Sequence, residues 1–304
     1  MRISRWPVAA LFAGAGAALA HEAPGLSPAT LARAWNTELW LWLLWLLPGL
    51  LVLRGIALMW ANARPGAGVR HWQAAAFVAG WVLLGLSILS PLDALGEALF
   101  WVHMVQHEVV MLVAAPLLVL ARPLPALVWG LPPAWRPGTA LLARRLGLQA
   151  AMQWLTGPLA AWWVHAVVIW AWHAPALFQA AVRHELVHDL QHTTFLVAAL
   201  AFWWSLFQRS AGRGAQGLAV FSLLTTALHT SALGALLTFS ERSWYPLYAA
   251  SAPSWGLTAV EDQQLAGLIM WVPGGLVYLV AALALMHQWL DSPRPASGTT
   301  GAPS

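Results

Sequence analysis

Apolar residues fall along this chain in long blocks, not in the alternation of a half-buried strand or the narrow stripe of a surface helix. Seven blocks, at about residues 38–60, 72–90, 99–121, 157–174, 187–207, 217–238 and 263–288, are each long enough to cross a bilayer as a helix. A spanning segment here must be helical, because each backbone group left open in lipid costs several kcal/mol. Ahead of the blocks, Arg2 and Arg5 precede a short apolar run from Val8 that ends at Ala18-Leu19-Ala20. That order predicts a signal peptide over residues 1–20, with an uncleaved extra helix as the alternative. The expected fold is all-α: a polytopic integral membrane protein whose seven-transmembrane helix bundle occupies residues 21–290 after the N-terminal signal segment, followed by a disordered cytoplasmic tail over 291–304. The longest loop, 122–155, is rich in Pro and Arg, with a short helical stretch around Thr139 to Leu148, and reads as lying on the cytoplasmic surface.

Composition sharpens this picture. With 60% of residues hydrophobic and 9% charged, the chain has too little polar surface for a soluble domain of its length, so the lipid bilayer is an expected partner. Many of the twenty-two Trp sit near block ends, where their rings suit the headgroup level. The formal net charge of +4 rests on fifteen Arg and no Lys, spread over short loops instead of gathered in a patch, so nucleic acid is not an expected partner. If residue 21 is outside, the inner loops carry Arg64, Arg70, Arg122, Arg136, Arg144, Arg145, Arg209, Arg213 and Arg294, against Arg33, Arg183 and Arg242 on the outer side. Nearly every loop then obeys the positive-inside rule, which predicts a mature N-terminus outside and a cytoplasmic C-terminus. Cysteine is absent, which excludes disulfides, iron–sulfur clusters and thiolate zinc sites. Any metal must be held by nitrogen, oxygen or thioether.

Five of the eleven His fall in two runs, 103–107 and 184–192, each at the start of a spanning block. Imidazoles four residues apart share one helix face, and ionisable groups at membrane depth mark function. On the expected topology His103, His107, His173, His188, His192 and His229 occupy the external third of the membrane on four spans. Neutral imidazole is the commonest side-chain ligand of transition metals and thioether selects Cu(I), so these six are candidate ligands, with Met104, Asp262, Gln263 and Met270 around them. Gln106, Glu108, Asp189 and Gln191 are placed to orient the rings. His71 and His287, at the inner rim, read as interface residues. The run His184-Glu185-Leu186-Val187-His188 matches a zinc-protease motif, but its first two residues fall in a polar turn and no third carboxylate ligand accompanies it. Pro273, before Gly274 and Gly275, is expected to kink the last span.

The runs HMVQHEVVMLVAAPLLVLARP (103–123), WAWHAPALFQAAV (170–182), HDLQHTTFLVAALAFWW (188–204) and EDQQLAGLIMWVPGGLVYL (261–279) resemble the CtaG family of cytochrome c oxidase assembly factors, the polytopic kind associated with caa-type oxidases. The resemblance covers most of residues 36–290. It implies a seven-span protein of the bacterial inner (plasma) membrane that helps copper reach a haem–copper oxidase, with an oxidase subunit or its copper chaperones as partners and no enzyme activity. Matched motif by motif, it carries over His103, His107, His173, His188, His192, Asp262 and Gln263, and leaves out His184 and Glu185. Copper, as Cu(I), is the expected cargo of such a metallochaperone. A haem-binding protein, with Gly80, Gly85 and Gly234 making room for a porphyrin, and a metal-free assembly scaffold are the alternatives.

Overall fold

The computed structural model describes residues 26–27, 29–209 and 213–291, so the expected signal segment and all but the first residue of the expected tail lie outside the described residues. Within these bounds every regular element is helical. Six helices are long and apolar enough to cross a membrane. They are Leu39–Asn62 (α1), His71–Leu89 (α2), the run Phe100–Ala121, Glu185–Gln208, Gly214–Thr238 and the run Ala259–Asp291. The expected fourth span is a helix of 16 residues, Pro158–His173. It passes the same test only together with the preceding Leu148–Leu155, from which it is bent by 81°. At about 1.5 Å per residue the 16-residue helix is short for a hydrocarbon core of about 30 Å.

Between the spans the chain forms short helices at both ends of the bundle. At one end lie Pro91–Ala98 (α3), which leads into Phe100–Glu108 (α4), and the 3-10 turns Pro246–Ala249 and Ala252–Trp255. Ala115–Ala121 (α5) carries the third span to the other end, where Leu124–Gly130 (α6), Arg136–Arg145 (α7) and Leu148–Leu155 (α8) follow. Pro158–His173 (α9) returns the chain, Pro175–Arg183 (α10) turns it, and Glu185–Gln208 (α11), Arg213–Thr238 (α12), Ala259–Ile269 (α13) and Gly275–Asp291 (α14) complete the bundle. The first end carries the clustered His, the other most of the loop Arg.

Two of the spans are interrupted by breaks in regular α-helix. Val109–Ala114, between α4 and α5, and Met270–Gly274, between α13 and α14, are wide π-type turns. Such turns leave a carbonyl short of its intrahelical partner and recur at functional sites. In the first, the Met111 carbonyl accepts the Trp203 indole N–H at 2.8 Å. In the second, Pro273 has no N–H to donate and sits within the turn.

Small residues allow the backbones to meet. A Cβ on Gly267 would lie 2.6 Å from the Gly234 carbonyl oxygen, and one on Gly234 2.8 Å from that of Gly267, so α12 and α13 touch backbone to backbone. Likewise Gly55 of α1 and Gly130 of α6 face each other's helices so closely that a Cβ on either would collide with a carbonyl, of Ala126 or Leu51. Small-residue contact of this kind is how helices associate where lipid is as apolar as Leu. Residues 124–130 thus run back alongside the first span, and only the later part of the 122–155 loop fits the surface position expected of it. The Arg54 guanidinium, inside α1, donates to the Gly130 carbonyl at the end of α6. Trp45 and Trp81 exchange indole bonds with each other's carbonyls at 2.8 and 3.1 Å, tying α1 to α2. The outward face of α1, with Leu39, Leu43, Leu44, Leu47 and Leu50 exposed, is left to lipid.

Gly130→Ala is expected to destabilise the detergent-solubilised protein by about 1–3 kcal/mol, as overpacking does. Gly138→Ala on α7, with nothing within 4 Å of the new Cβ, should leave it equal or slightly more stable; unfolding in mixed micelles compares the two.

Candidate metal centre

The histidine cluster is assembled from two helix starts. On α4, His103 and His107 lie one turn apart, with ring centroids 4.3 Å from each other. On α11, His188 and His192 repeat the spacing at 4.4 Å, and their Nε2 atoms are 3.0 Å apart. The pairs interlock, His107 lying 4.9 Å from His192 and His103 5.9 Å from both α11 rings. One ring nitrogen from each of His103, His107 and His192 can be chosen so that all lie within 4.8 Å of one another, the spread of a single ion's ligands. A second group shares His192 and adds His188 and a carboxylate oxygen of Asp93 within the same limit.

What makes the cluster unusual is that it is unsatisfied. Both ring nitrogens of His103 and both of His107 are buried without a hydrogen-bond partner, as are the two side-chain polar atoms of neighbouring Gln191. Buried polar groups are nearly always paired, and an unpaired set facing one point calls for an occupant. The chemistry fits a metal ion, since neutral imidazole presents a lone pair, His107 has no competing bond to lose, and His103 has only the neighbouring Gln191 amide to exchange.

Aromatic side chains close the cluster at the end of the bundle. His103 meets the edge of Phe178 from α10 at 5.0 Å, and Phe178 packs on Tyr245 at 4.4 Å. The Tyr245 hydroxyl donates to the His173 carbonyl at 2.7 Å and Tyr248 to that of Gly96 at 3.1 Å. Acidic groups gather beside this cover. Glu97, Asp189 and Glu185 all act on His188 through space. Neighbouring Glu185, with desolvation and like charge, pushes Glu38 up to about 7. Desolvation pushes the Asp93 carboxyl up to about 7, against the pull of its bond from the Gln106 amide and with a further rise from Asp189.

The remaining candidates divide. His173 lies outside the four-ring cluster but lines the same small cavity as His107; its Nδ1 is 2.7 Å from the Ile169 carbonyl and its Nε2 has no partner. Met104 and Met270 are buried and line that cavity too. His229 is not brought in: its ring faces α9, where Trp170 donates to Nδ1 at 3.3 Å. Asp262 does not reach the imidazoles either. Its two oxygens accept the Phe100 and Trp101 N–H groups at 2.8 and 2.9 Å, capping the start of α4. Gln263 accepts the Trp244 N–H at 2.6 Å and donates to the Arg242 carbonyl at 3.2 Å, anchoring a loop. Gln106, expected to orient a ring, instead donates to the Ser87 carbonyl and, at 2.7 Å, to Asp93. His184 is exposed and belongs to neither ligand group, so the protease-like spacing has no geometric counterpart. His71 and His287 are exposed, as expected of rim residues. Gly80, Gly85 and Gly234 open no room for a porphyrin: a Cβ there would strike α5 and the wide turn before it, Trp45, or the α13 backbone. Sequence reasoning passed over Asp93, which carries no motif, and over the three Tyr, all of which are buried.

A multi-helix bundle with unsaturated imidazoles inside one end defines a polytopic membrane protein built around a buried polar site. Residues 50–292 match the family described as cytochrome c oxidase caa3 assembly factor (Caa3_CtaG), and the chain belongs to that family. Uncharacterized proteins of Mycobacterium bovis (Mb0105) and Mycobacterium tuberculosis (MT0111) are each 26% identical to it over 297 residues, covering 91% of this chain and 42% of their own length. One from Mycobacterium leprae (ML1998) is 26% identical over 220 residues, 70% of this chain and 33% of its own. The chain therefore spans about two fifths or less of the length of these curated relatives. No solved structure matches it.

These contacts have two measurable consequences. The folded protein holds a proton on Asp93 up to about pH 7 that the unfolded chain releases near 3.8, so stability should fall as pH rises between those values and level off above. Asp93→Asn should flatten that slope in thermal melts, leaving the part due to Glu38. Asp262→Ala, which strips two buried N–H groups of their acceptor, should cost about 1–3 kcal/mol in unfolding measurements.

Proposed function

We propose that this assembly factor binds Cu(I) at the four-histidine cluster and hands it to a haem–copper oxidase subunit, directly or in exchange with the oxidase's copper chaperones. The observation that carries the reading is the convergence of His103, His107, His188 and His192 from two helices, with both nitrogens of the first two buried and unpaired. Among nitrogen, oxygen and thioether donors, a neutral imidazole set with Met104 and Met270 close by suits Cu(I) better than a hard cation. The acidic side chains of Glu97, Glu185 and Asp189, beside His188, draw cations to the mouth. His188 and His192, nearer these acids, receive the ion, and His103 and His107 hold it beneath the aromatic cover. The positive-inside pattern of the loops sets this end on the external side of a bacterial plasma membrane, with the C-terminus in the cytoplasm. The handover is then lateral, between imidazole sites of similar affinity at similar depth, and the protein acts as a carrier, with no substrate turned over.

In the test, detergent-purified protein is loaded with Cu(I) against a competing chelator, and metal content and visible spectrum are recorded. We expect copper to be retained with no Soret band, and His103→Ala/His107→Ala to lose at least about tenfold in affinity while still reaching the membrane. Unchanged occupancy in the double variant would sink the site; a Soret band would replace copper by haem.

A further inference from the structure

Below the four-histidine cluster, between the two wide turns, lies a cavity of about 20 Å³ measured as room for water centres, enough for one water-sized occupant. Its lining includes three thioethers, Met104 of α4, Met111 of the first wide turn and Met270 of the second, together with His107, His173 and Glu108. We propose that this cavity is a second position for a single soft monovalent metal ion, sulfur-lined and separate from the four-histidine cluster, to which His107 joins it. The identity of the ion as Cu(I) rests on the copper reading of the cluster.

Each wall of the cavity supports an ion there. Met on a packed helix is ordinarily core filler, yet three of the chain's seven converge on this one space from two spans. His173 is arranged as metal-bound imidazoles are: Nδ1 faces the Ile169 carbonyl at 2.7 Å, which fixes the proton on that nitrogen and leaves the buried Nε2 lone pair without a partner. The Glu108 carboxylate, with Oε2 likewise unpartnered, sits where Gly274 has no side chain; a Cβ there would lie 2.7 Å from that oxygen. Thioether and imidazole are neutral, so one carboxylate beside them balances one monovalent cation within the apolar core.

The second position supplies what the first lacks. Imidazoles accept zinc, nickel and copper alike, whereas thioethers prefer Cu(I) among the first-row metals. An ion that enters through Asp93, His188 and His192 and moves past His107 is therefore chosen by charge first and by softness second. The wide turns make this possible. The first is held by the Trp203 bond to the Met111 carbonyl, and the second contains Met270, Pro273 and Gly274.

The experiment uses the full chain in detergent, loaded anaerobically with Cu(I), with copper per protein measured and copper K-edge X-ray absorption recorded. Wild type should hold about two copper ions with both sulfur and nitrogen scatterers. Met104→Leu/Met111→Leu/Met270→Leu, near-isosteric in a packed core, should drop to about one ion with nitrogen scatterers alone. His188→Asn/His192→Asn should also drop to about one ion but retain the sulfur signal. A wild-type spectrum without sulfur overturns the second position while leaving the cluster standing, and so does a triple Leu variant indistinguishable from wild type. A His188→Asn/His192→Asn variant that keeps the full wild-type copper count along with the sulfur signal would uphold the cavity and overturn the cluster. Protein that holds no copper in any form overturns both, and the wild-type spectrum decides between the outcomes even if a variant fails to fold.

Discussion

The clamp of Asp262 on the start of α4 is the contact on which the rest of the site depends. One carboxylate, carried by the first turn of α13, accepts the first two N–H groups of α4 and thereby fixes both the height and the rotation of that helix. His103 and His107 lie within the next two turns, so their rings point where this cap aims them. The same bond fixes where the last span stands against the third, and with it the separation of the two wide turns. In lipid no solvent can take over such a bond, so the carboxylate and the helix end must be made for each other.

The bundle therefore has two kinds of polar group. One kind is bonded in holding helices together: Asp262, Gln263, the amide nitrogen of Gln106, the reciprocal Trp45 and Trp81 indoles, and Arg54 at the end of α6. The other kind, His103, His107, Gln191, the far nitrogen of His173 and one oxygen of Glu108, is buried with nothing to bind. Both lie on the same helices, often one residue apart, as Gln106 and His107 do. Adjacent residues on a helix face different directions, about 100° apart, and this separates structural bonds from open ligands within a single turn.

This division explains which readings of the sequence held. Apolar blocks at spanning length located the helices, because only a helix satisfies its backbone in lipid, and the i, i+4 spacing located the His pairs because it is a property of one helix. The depth argument placed His229 and Asp262 beside the cluster, and both are at the same end of the bundle. Depth does not fix rotation, however. His229 faces α9 and Asp262 faces the α4 end, and only packing between spans decides that. Gly80, Gly85 and Gly234 likewise read as space in the sequence and are close helix contacts in the structure. Asp93 could not be read as a partner of His188 and His192, since it lies on the short helix α3 between two spans and only packing decides where that helix docks. The wide turn at 109–114 left no mark beyond an ordinary apolar run.

The pairing of Arg54 with α6 bears on how the chain is made. Arg54 sits inside the first span, where a lone guanidinium is costly to leave in hydrocarbon, and its acceptor is the carbonyl of Gly130, 76 residues later in the chain. While the ribosome is still producing α2 to α5, α1 has neither that acceptor nor the helix that its Gly55 face fits. Although made early, α1 is thus among the last of these spans to settle. The contact between α1 and α6 can therefore form only once residue 130 has been made, after the third span and its His pair have been synthesised.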